Sequence, residues 1–505
     1  MSKLFNRTSG ILMHISSLPS NYGIGTFGQS AYEFVDFLKK SKVKIWQILP
    51  LNLTSFGDSP YQTPASYSFN YYFIDLDILI NKGLLEKEEV ESIKFCEDEG
   101  RVDYGLLYAN RIKVLELAFS RFNKTKKFKE FLKNNKKLTD VAFFLTLKRI
   151  NGFKAWKDFD KKYVNYSEKL ENEVKKQFKN IYEFYCWTQF EALNQRTKLK
   201  KYANKNGILL MGDIPFYVGY DSLECYKYSK YFNLDKGKNP IDVAGCPPDF
   251  FSKSGQLWGN PIYNWKRLKK ENYSWIIEKI KYNLEIYDLV RLDHFRGYSG
   301  YYSIPSKDKT AEFGTWKKGP GIDLFNNLRN EAIIAEDLGS LDDDFIQMFN
   351  SLPYPGMKII PEGLMHNNFD DDWRIHNVSS RYFLYTSTHD SPLVAENLEL
   401  NEEQRNVFFK SLSEECSALN VPFISALDAK HLVDTIVELN FSSNSLCSMV
   451  TMQDLLYLGK DGRMNLPSSI STSNWSWRIK KDEFSIKKED ISRSLKRLNI
   501  KYNRV

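Results

Sequence analysis

Eight apolar runs, separated mostly by helix-like stretches, limit the fold of this chain more than any other feature of its sequence. Strand, helix and strand in succession is the unit that builds a parallel sheet. Runs that are apolar at nearly every position are typical of strands buried on both faces. Eight such runs predict an α/β fold, a (β/α)8 TIM barrel. The runs are Ser9–Ser17, Val43–Pro50, Gly207–Phe216, Asp288–Phe295, Ala332–Gly339, Gly356–Gly363, Arg381–Asp390 and Leu446–Leu455.

Two long segments interrupt the alternation of strand and helix. From about residue 83 to 206, Lys/Glu-rich segments with helical periodicity predict a helical insertion subdomain. We expect it to pack on the barrel, because no linker rich in Pro, Gly or Ser flanks it. A second insertion, about 217–287, carries a Pro-rich loop with exposed aromatic residues. Residues 1–505 then form a single barrel domain with no C-terminal all-β module.

The charge pattern gives little support for a nucleic-acid partner. The net charge of +8 is spread over 71 basic and 63 acidic residues. The densest basic cluster, Lys124–Lys137, is interrupted by Phe128, Phe131 and Leu132 at helical spacing. This pattern indicates a solvated helix face rather than a nucleic-acid surface.

The sequence predicts a cytoplasmic protein without a membrane segment. The amino-terminal residues lack the apolar core of a signal peptide, and no run approaches the roughly 18 apolar residues of a membrane span. The six cysteines show no paired spacing and are expected to be free thiols in a reducing compartment.

Charged side chains follow four of the predicted strands directly. Active sites of these barrels lie at the carboxyl ends of the strands, so we expect these side chains to share one mouth. Carboxylates that share one mouth repel one another and raise one another's pKa values. Such repulsion is unfavourable, and it is typical of sites whose chemistry uses the shifted pKa values. The residues concerned are Asp213 after the third strand, Arg291, Asp293 and His294 at the fourth, Glu336 and Asp337 at the fifth, and His389 and Asp390 at the seventh.

Converging carboxylates suit cleavage of a glycosidic bond with retention of configuration. One carboxylate attacks the anomeric carbon while a carboxylic acid about 5–5.5 Å away protonates the leaving oxygen. A cation site is the alternative explanation, but Arg291, His294 and His389 nearby argue against one. The chain has no phosphate-binding loop and no dinucleotide fingerprint, so we expect neither a metal nor a cofactor.

Nine short motifs stand in order along the chain. They are DSPYQ at 58–62, GDIPFYV at 212–218, CPPDFFS at 246–252, GQLWGNP at 255–261, RLDHFRG at 291–297, AEDLG at 335–339, THD at 388–390, RMN at 463–465 and NWSWR at 474–478. Together they resemble the motifs of the 4-α-glucanotransferases, the amylomaltases or disproportionating enzymes of glycoside hydrolase family 77. The resemblance covers roughly three quarters of the chain, with the helical insertion similar mainly in position.

The resemblance implies catalytic roles for three carboxylates. Asp293 is expected to be the nucleophile, Glu336 the general acid/base, and Asp390 the carboxylate that stabilises the transition state. Arg291, two residues before Asp293 on the same strand face, can keep the nucleophile ionised. Desolvation by a bound sugar would raise the pKa of Glu336, as a proton donor near neutrality requires.

The resemblance also implies a set of sugar-binding residues. His294 and His389 are placed to hydrogen-bond sugar hydroxyls at the point of cleavage, and Tyr61 is expected to stack beneath the donor sugar. Phe250 and Trp258 belong to a loop that would cover the acceptor side and exclude water. Asp213 has two alternative roles, as a substrate ligand or as a partner that positions an arginine.

The expected partners are α-1,4-glucan oligosaccharides such as maltodextrins, with glycogen or starch as alternatives, bound by a monomer or weak homo-oligomer. Transfer to a sugar 4-hydroxyl is the expected reaction, and an amylase-type hydrolase is the alternative. Three stretches depart from the family pattern near the sugar subsites, and none of them removes a proposed catalytic carboxylate. These are residues 391–393 (SPL), 62–73 (QTPASYSFNYYF) and the end of the run 356–364 (PEGL).

Overall fold

The computed structural model describes residues 6–248, 253–423 and 428–505. Twelve strands lie in this part of the chain, eight of them in one parallel sheet and four in a smaller antiparallel sheet. They are β1 (Thr8–Leu12), β2 (Ile45–Gln47), β3 (Leu209–Ile214), β4 (Asp242–Cys246), β5 (Gln256–Pro261), β6 (Leu289–Leu292), β7 (Gly300–Pro305), β8 (Thr315–Lys318), β9 (Ile333–Ala335), β10 (Gly356–Ile359), β11 (Tyr382–Tyr385) and β12 (Cys447–Thr451).

The parallel sheet confirms the predicted barrel. Its strand order is β10–β11–β12–β1–β2–β3–β6–β9, and each strand lies within, or within one residue of, one of the eight apolar runs. The two edge strands, β9 and β10, meet through single hydrogen bonds rather than a ladder. Ala335 N–H donates to the carbonyl of Pro355 at 2.9 Å, and Met357 N–H donates to Asp337 Oδ1 at 2.6 Å.

Both faces of the barrel strands are buried, which explains why the runs are apolar at nearly every position. On β2, Ile45 belongs to a cluster filling the barrel, while Trp46 belongs to the larger core beneath the helices. On β3, Met211 belongs to the cluster that fills the barrel and Leu210 to the larger core. Successive side chains of a strand point to opposite faces, so a doubly buried strand needs apolar residues on both.

The strands are shorter than the apolar runs that predict them, because the runs continue into helices. After β10, the helix Ile360–Leu364 has Pro361 at its second position, where the missing N–H cannot join a sheet ladder. After β12, the side chain of Thr451 accepts a hydrogen bond from Asp454 N–H and caps the helix Met452–Leu455.

Seventeen α-helices lie in the described residues, and none of them is long and apolar enough to cross a membrane. They are α1 (Gln29–Lys40), α2 (Leu76–Asn81), α3 (Lys87–Glu91), α4 (Tyr104–Ser120), α5 (Lys126–Asn134), α6 (Lys136–Ile150), α7 (Glu168–Gln177), α8 (Lys179–Lys205), α9 (Leu223–Lys227), α10 (Trp265–Lys270), α11 (Ser274–Ile286), α12 (Asp343–Asn350), α13 (Ile360–Leu364), α14 (Glu402–Ala418), α15 (Ala429–Ser442), α16 (Met452–Leu455) and α17 (Lys481–Lys501).

Helices α2 to α8 occupy the connection between β2 and β3. Within it, Phe128 and Phe131 of α5 are buried, and their rings lie 5.3 and 5.4 Å from that of Phe190 on α8. Most of the lysines around them are exposed, so the basic cluster is a solvated helix face. The limits of the two insertion subdomains remain predictions from sequence.

The antiparallel sheet, with strand order β5–β4–β7–β8, has no counterpart among the sequence predictions. It pairs β4 and β5 of the second insertion with β7 and β8, which follow β6. Its strands are short, and β8 is exposed at all four positions. A strand of this kind carries no apolar pattern that sequence reasoning could detect.

Candidate active site

Five of the side chains predicted at strand ends lie at the carboxyl ends of three neighbouring strands, β3, β6 and β9: Asp213, Arg291, Asp293, His294 and Glu336. The carboxyl group of Asp337 instead accepts the N–H of Met357 on β10 at 2.6 Å. Backbone hydrogen bonds extend the pairing beyond the strands. Asp293 N–H donates to the carbonyl of Ile214, and Glu336 N–H donates to that of Leu292, each at 3.1 Å. These backbone hydrogen bonds hold Asp293 and Glu336 close to each other independently of their side-chain contacts.

Arg291 joins three of the carboxylates. Its buried guanidinium lies 2.6 Å from Asp213 Oδ2 and 3.0 Å from Asp293 Oδ1 through Nη1, and 3.8 Å from Glu336 Oε2 through Nη2. Burial acts to lower the pKa of Arg291, but the charges of Asp213 and Asp293 outweigh it and raise the pKa well above its usual range. The arginine is therefore a permanent cation among the acids.

Asp213 lies beneath this arrangement with a fully buried side chain. Its Oδ2 accepts hydrogen bonds from both Arg291 and the hydroxyl of Tyr61, the latter at 2.8 Å. Burial raises the pKa of Asp213 although Arg291 opposes the rise. The described contacts of Asp213 are thus to an arginine and a tyrosine of the protein.

Asp293 and Glu336 differ in exposure and hydrogen bonding. The side chain of Asp293 is 25% exposed, whereas that of Glu336 is mostly buried and its Oε2 accepts the N–H of His294 at 2.6 Å. Burial raises the pKa of Glu336 to about 8, with Arg291 opposing the rise and the charge of Asp293 adding to it. Glu336 is therefore largely protonated at neutral pH.

His294 turns the chain away from β6 with a left-handed backbone, at φ 45°. Its ring packs edge-on against those of Trp258 and Phe216, with centroids 5.0 and 5.8 Å away. Burial lowers the pKa of His294 to about 4, against the opposing charge of Asp293. The imidazole is neutral at pH 7 and can donate or accept a hydrogen bond.

On the opposite side of the mouth, His389 and Asp390 follow β11. The side chain of Asp390 is 46% exposed, its Oδ2 lies 3.2 Å from His389 Nε2, and its Oδ1 accepts a hydrogen bond from Asn465 at 2.7 Å. Partial burial acts to raise the pKa of Asp390, but contacts with His389 and Asn465 outweigh it and lower the pKa to about 2. Asp390 is therefore ionised at neutral pH.

Tyr61 and His389 form a stacked pair, with ring centroids 5.2 Å apart and an interplanar angle of 10°. Trp475 adjoins both rings, at 5.8 Å from Tyr61 and 6.0 Å from His389. The buried Nδ1 of His389 has no hydrogen-bond partner in the part of the chain that the structure describes. An unpaired, buried ring nitrogen of this kind can form a hydrogen bond with a polar ligand.

The predicted acceptor-side loop is described only in part. Trp258 lies on β5, half-buried, and its Nε1 donates to Gln256 Oε1 at 3.0 Å. Phe250 belongs to residues 249–252, which lie outside the described residues. Among the described residues, no group of three or more His, Cys, Asp or Glu side chains could hold a metal ion.

Three residues of the site were not assigned roles from sequence, although motifs pointed to two of them. Asn465 lies in RMN and Trp475 in NWSWR, and neither follows a barrel strand directly. The third, the fully buried Asp454, accepts hydrogen bonds from the hydroxyls of Thr386 and Ser387 at 2.7 and 2.6 Å. It thereby fixes the chain that leads to His389 and Asp390.

Comparisons with known proteins agree on one family. The sequence profile of the family described as 4-alpha-glucanotransferase matches residues 13–483. The 4-alpha-glucanotransferase of Clostridium butyricum is 40% identical over 505 residues, which cover 97% of this chain and 100% of that protein. The one from Streptococcus pneumoniae serotype 4 is 39% identical over 492 residues, 95% of this chain and 94% of its own.

A solved structure gives the same result. The amylomaltase from Streptococcus agalactiae, in complex with acarbose, matches with a TM-score of 0.92 and 35% identity, and 99% of each chain is covered. The amylomaltase from Corynebacterium glutamicum shares the fold, with a TM-score of 0.76 at 18% identity. The resemblance seen in the motifs is confirmed, and the chain belongs to the 4-alpha-glucanotransferase family, glycoside hydrolase family 77.

Proposed function

We propose that the chain is a retaining 4-α-glucanotransferase that cleaves α-1,4-glucans and passes the donor segment to the 4-hydroxyl of another glucan or of glucose. One observation carries the proposal. A single guanidinium, that of Arg291, lies 3.0 Å from Asp293 Oδ1 and 3.8 Å from Glu336 Oε2, so that a partly exposed carboxylate and a protonated acid lie beside the same cation.

In the first half of the reaction, Asp293 acts as the nucleophile. Its carboxylate attacks the anomeric carbon while Glu336 gives its proton to the leaving glycosidic oxygen, and the donor segment becomes an ester of Asp293. The guanidinium of Arg291, 3.0 Å from Asp293 Oδ1, holds the attacking carboxylate in place. The raised pKa of Glu336, about 8, keeps the acid protonated at neutral pH.

In the second half, Glu336 acts as the base. Esterification removes the negative charge of Asp293, which is one of the causes that raise the pKa of Glu336. The pKa of Glu336 therefore falls once the intermediate has formed. Glu336 then accepts the proton of the acceptor hydroxyl, the acceptor oxygen attacks the anomeric carbon, and Asp293 leaves as a carboxylate.

The remaining predicted residues surround the sugar. Asp390, kept ionised, favours the positive charge that develops at the anomeric centre. His294 and His389 supply hydrogen bonds to hydroxyls, and Tyr61 is a stacking platform. The hydrogen bonds that Asp213 Oδ2 shares with Arg291 and Tyr61 support a positioning role, whereas its buried Oδ1, which has no partner among the described residues, suits a substrate ligand.

Transfer rather than hydrolysis is supported by the family. The relatives matched over at least 94% of this chain are named 4-alpha-glucanotransferases, and the neighbouring amylomaltase was solved with acarbose bound. Trp258 beside His294 adds an aromatic wall that would help to exclude water. The hydrolase alternative is not favoured. A cytosolic location, a monomer or weak homo-oligomer, and the roles of Phe250 and Trp258 at the acceptor side remain predictions from sequence.

Incubation of the purified protein with maltotriose tests the reaction. We expect a ladder of longer oligosaccharides together with glucose and maltose, because each transferred segment extends another chain. Chromatography of the products distinguishes this from glucose and maltose alone, which would overturn transfer. Asp293→Asn should abolish turnover while glucan binding, measured by calorimetry, is retained; near-normal turnover in that variant would show that the nucleophile is misassigned.

A further inference from the structure

Arg296 has no part in the mechanism proposed above, yet its side chain is among the most constrained at the mouth. Only 9% of it is exposed. Its Nε donates to the carbonyl of Ser340 at 2.7 Å, and its Nη2 lies 2.9 Å from Asp342 Oδ2. Its Cζ lies 3.7 Å from the ring centroid of Trp316, within cation–π distance. An arginine held in this way fixes the segments that it joins.

The partners of Arg296 belong to two different segments. Ser340 and Asp342 lie in the loop that follows Glu336, and Asp342 also caps α12 by accepting the N–H of Phe345 at 2.9 Å. Trp316 lies on the edge strand β8, where it is 44% exposed, and its ring packs edge-on against Tyr302. Arg296 thus connects the end of β6 with the loop after β9 and with the antiparallel sheet.

The turn that carries Arg296 is also the one that touches Glu336. His294 N–H donates to Glu336 Oε2 at 2.6 Å, and Phe295 N–H donates to the carbonyl of Glu336 at 3.1 Å. His294 has a left-handed backbone, at φ 45°, which residues with a Cβ adopt much less readily than glycine does. The position of the Glu336 carboxyl group therefore depends on how firmly this turn is held.

We infer that Arg296 and Trp316 form a clamp that positions Glu336, by holding the turn His294–Arg296 against the loop 337–342. Both are positioning residues, since Arg296 acts through the turn and Trp316 through Arg296. The inference rests on the proposed function, in which Glu336 transfers the proton. Loosening the clamp should impair the proton transfers more than substrate binding or nucleophilic attack, because the described contacts of Arg296 are to neither Asp293 nor Asp390.

A donor and an acceptor that need no proton transfer test this inference. With α-maltosyl fluoride, the bond from the anomeric carbon to fluorine breaks as the Asp293 ester forms, and fluoride leaves without a proton. Azide then attacks the anomeric carbon and releases the Asp293 carboxylate, giving maltosyl azide. The same active site carries out this reaction without Glu336 chemistry, whereas maltotriose disproportionation requires it twice.

We expect Arg296→Met to lower kcat on maltotriose by about 100-fold, the loss typical of a misplacement of about 1 Å. KM should change by less than about threefold, since the described contacts of Arg296 are to Ser340, Asp342 and Trp316, none of which is assigned to the sugar. The rate with α-maltosyl fluoride and azide should fall by less than about fivefold, because this reaction needs no proton transfer by Glu336. Arg296→Lys, which keeps the charge and one donor, should recover part of the loss.

Matched variants separate the clamp from general damage. Trp316→Phe should keep most of the maltotriose activity, whereas Trp316→Ala should lose about tenfold, the size of one cation–π contact. Arg493→Met removes an exposed arginine of α17 and should leave both reactions unchanged. If Arg296→Met does not fold, the comparison of Trp316→Ala with Trp316→Phe still tests whether the clamp positions Glu336.

Equal losses in both reactions would overturn the inference and make Arg296 a structural residue, as would unchanged maltotriose activity in Arg296→Met and Trp316→Ala. A wild-type protein that releases only glucose and maltose would instead overturn the proposed transfer. Hydrolysis would still leave the comparison of maltotriose with α-maltosyl fluoride valid. The cleavage of maltotriose by water also needs a proton from Glu336, whereas the loss of fluoride does not.

Discussion

Two carboxyl groups of one site, Glu336 and Asp390, are driven to opposite protonation states by their surroundings. Burial raises the pKa of Glu336 to about 8, and contacts with His389 and Asn465 lower that of Asp390 to about 2. At neutral pH one group can give a proton while the other supplies a negative charge. Groups whose environments separate their pKa values in this way identify the acid and the stabilising carboxylate of a glycosidase-type site.

The protonation state of Glu336 should set the high-pH limit of activity. A carboxyl group is protonated below its pKa, so the acid form is present up to about pH 8 and is lost above it. We therefore expect kcat/KM on maltotriose to fall about tenfold per pH unit above pH 8. Initial rates between pH 6 and 10 measure this limit.

A Glu336→Gln variant is the control for this limit, since an amide does not titrate. Its rate with α-maltosyl fluoride and azide should show no decline near pH 8. A decline of equal size in that variant would assign the limit to another group.

At the scale of elements, a single buried carboxylate supports the segment between β11 and Asp390. Asp454 of α16 accepts from the hydroxyls of Thr386, Ser387 and Thr451 through Oδ2, and from Val394 N–H through Oδ1 at 2.9 Å. These bonds join the ends of β11 and β12 and the start of the segment beyond residue 390. The orientation of His389 and Asp390 thus depends on Asp454, which lies on the helix that follows the last barrel strand.

Replacement of Asp454 by Ala should lower the free energy of unfolding by at least about 3 kcal/mol, because three hydroxyls and one N–H lose their acceptor in a buried place. Asp454→Asn, which keeps one oxygen and the shape, should cost less. Urea denaturation measures both. Asp490→Ala, an exposed position of α17, should change the free energy by less than about 0.5 kcal/mol. Similar values for Asp454→Ala and Asp490→Ala would contradict the role given to Asp454.

At the scale of the whole molecule, residues near the two ends of the sequence contact each other beside β1. The buried Arg504 donates to backbone carbonyls on β1 and around α15, including Thr8, 496 positions away, at 3.1 Å. Its other acceptors are the carbonyls of Asn440, Phe441, Ser443 and Ser445 and the hydroxyls of the two serines. Asn499 of α17 adds a hydrogen bond from Ser9 Oγ at 2.7 Å.

Arg504→Met should lower the free energy of unfolding by about 3–5 kcal/mol, because five buried carbonyls lose their charged donor together. Activity at 20 °C should persist, since Arg504 contacts carbonyls of β1 and the α15–β12 region, away from the proposed catalytic carboxylates. Arg497→Met on α17 removes a mostly exposed arginine 3.6 Å from Glu438, and should cost less than about 1 kcal/mol. Urea denaturation of both variants checks the difference, and equal losses would contradict it.

The sequence by itself determined the eight barrel strands and the residues that end them. Burial on both faces of a strand is a local requirement, so it appears as an apolar run wherever the chain folds this way. A charged residue near the carboxyl end of such a run is expected at the mouth of the barrel, which is why Asp213, Asp293 and Glu336 could be named in advance. The motifs then identified the family.

Only the tertiary structure decided which distant residues complete the site. Asn465 lies 75 positions from Asp390, and Trp316 reaches Arg296 from an exposed strand with no apolar pattern. The hydrogen bond between Arg504 and Thr8 likewise joins opposite ends of the chain. Contacts of this kind depend on how elements pack rather than on periodicity along the chain, so they leave no local signal in the sequence.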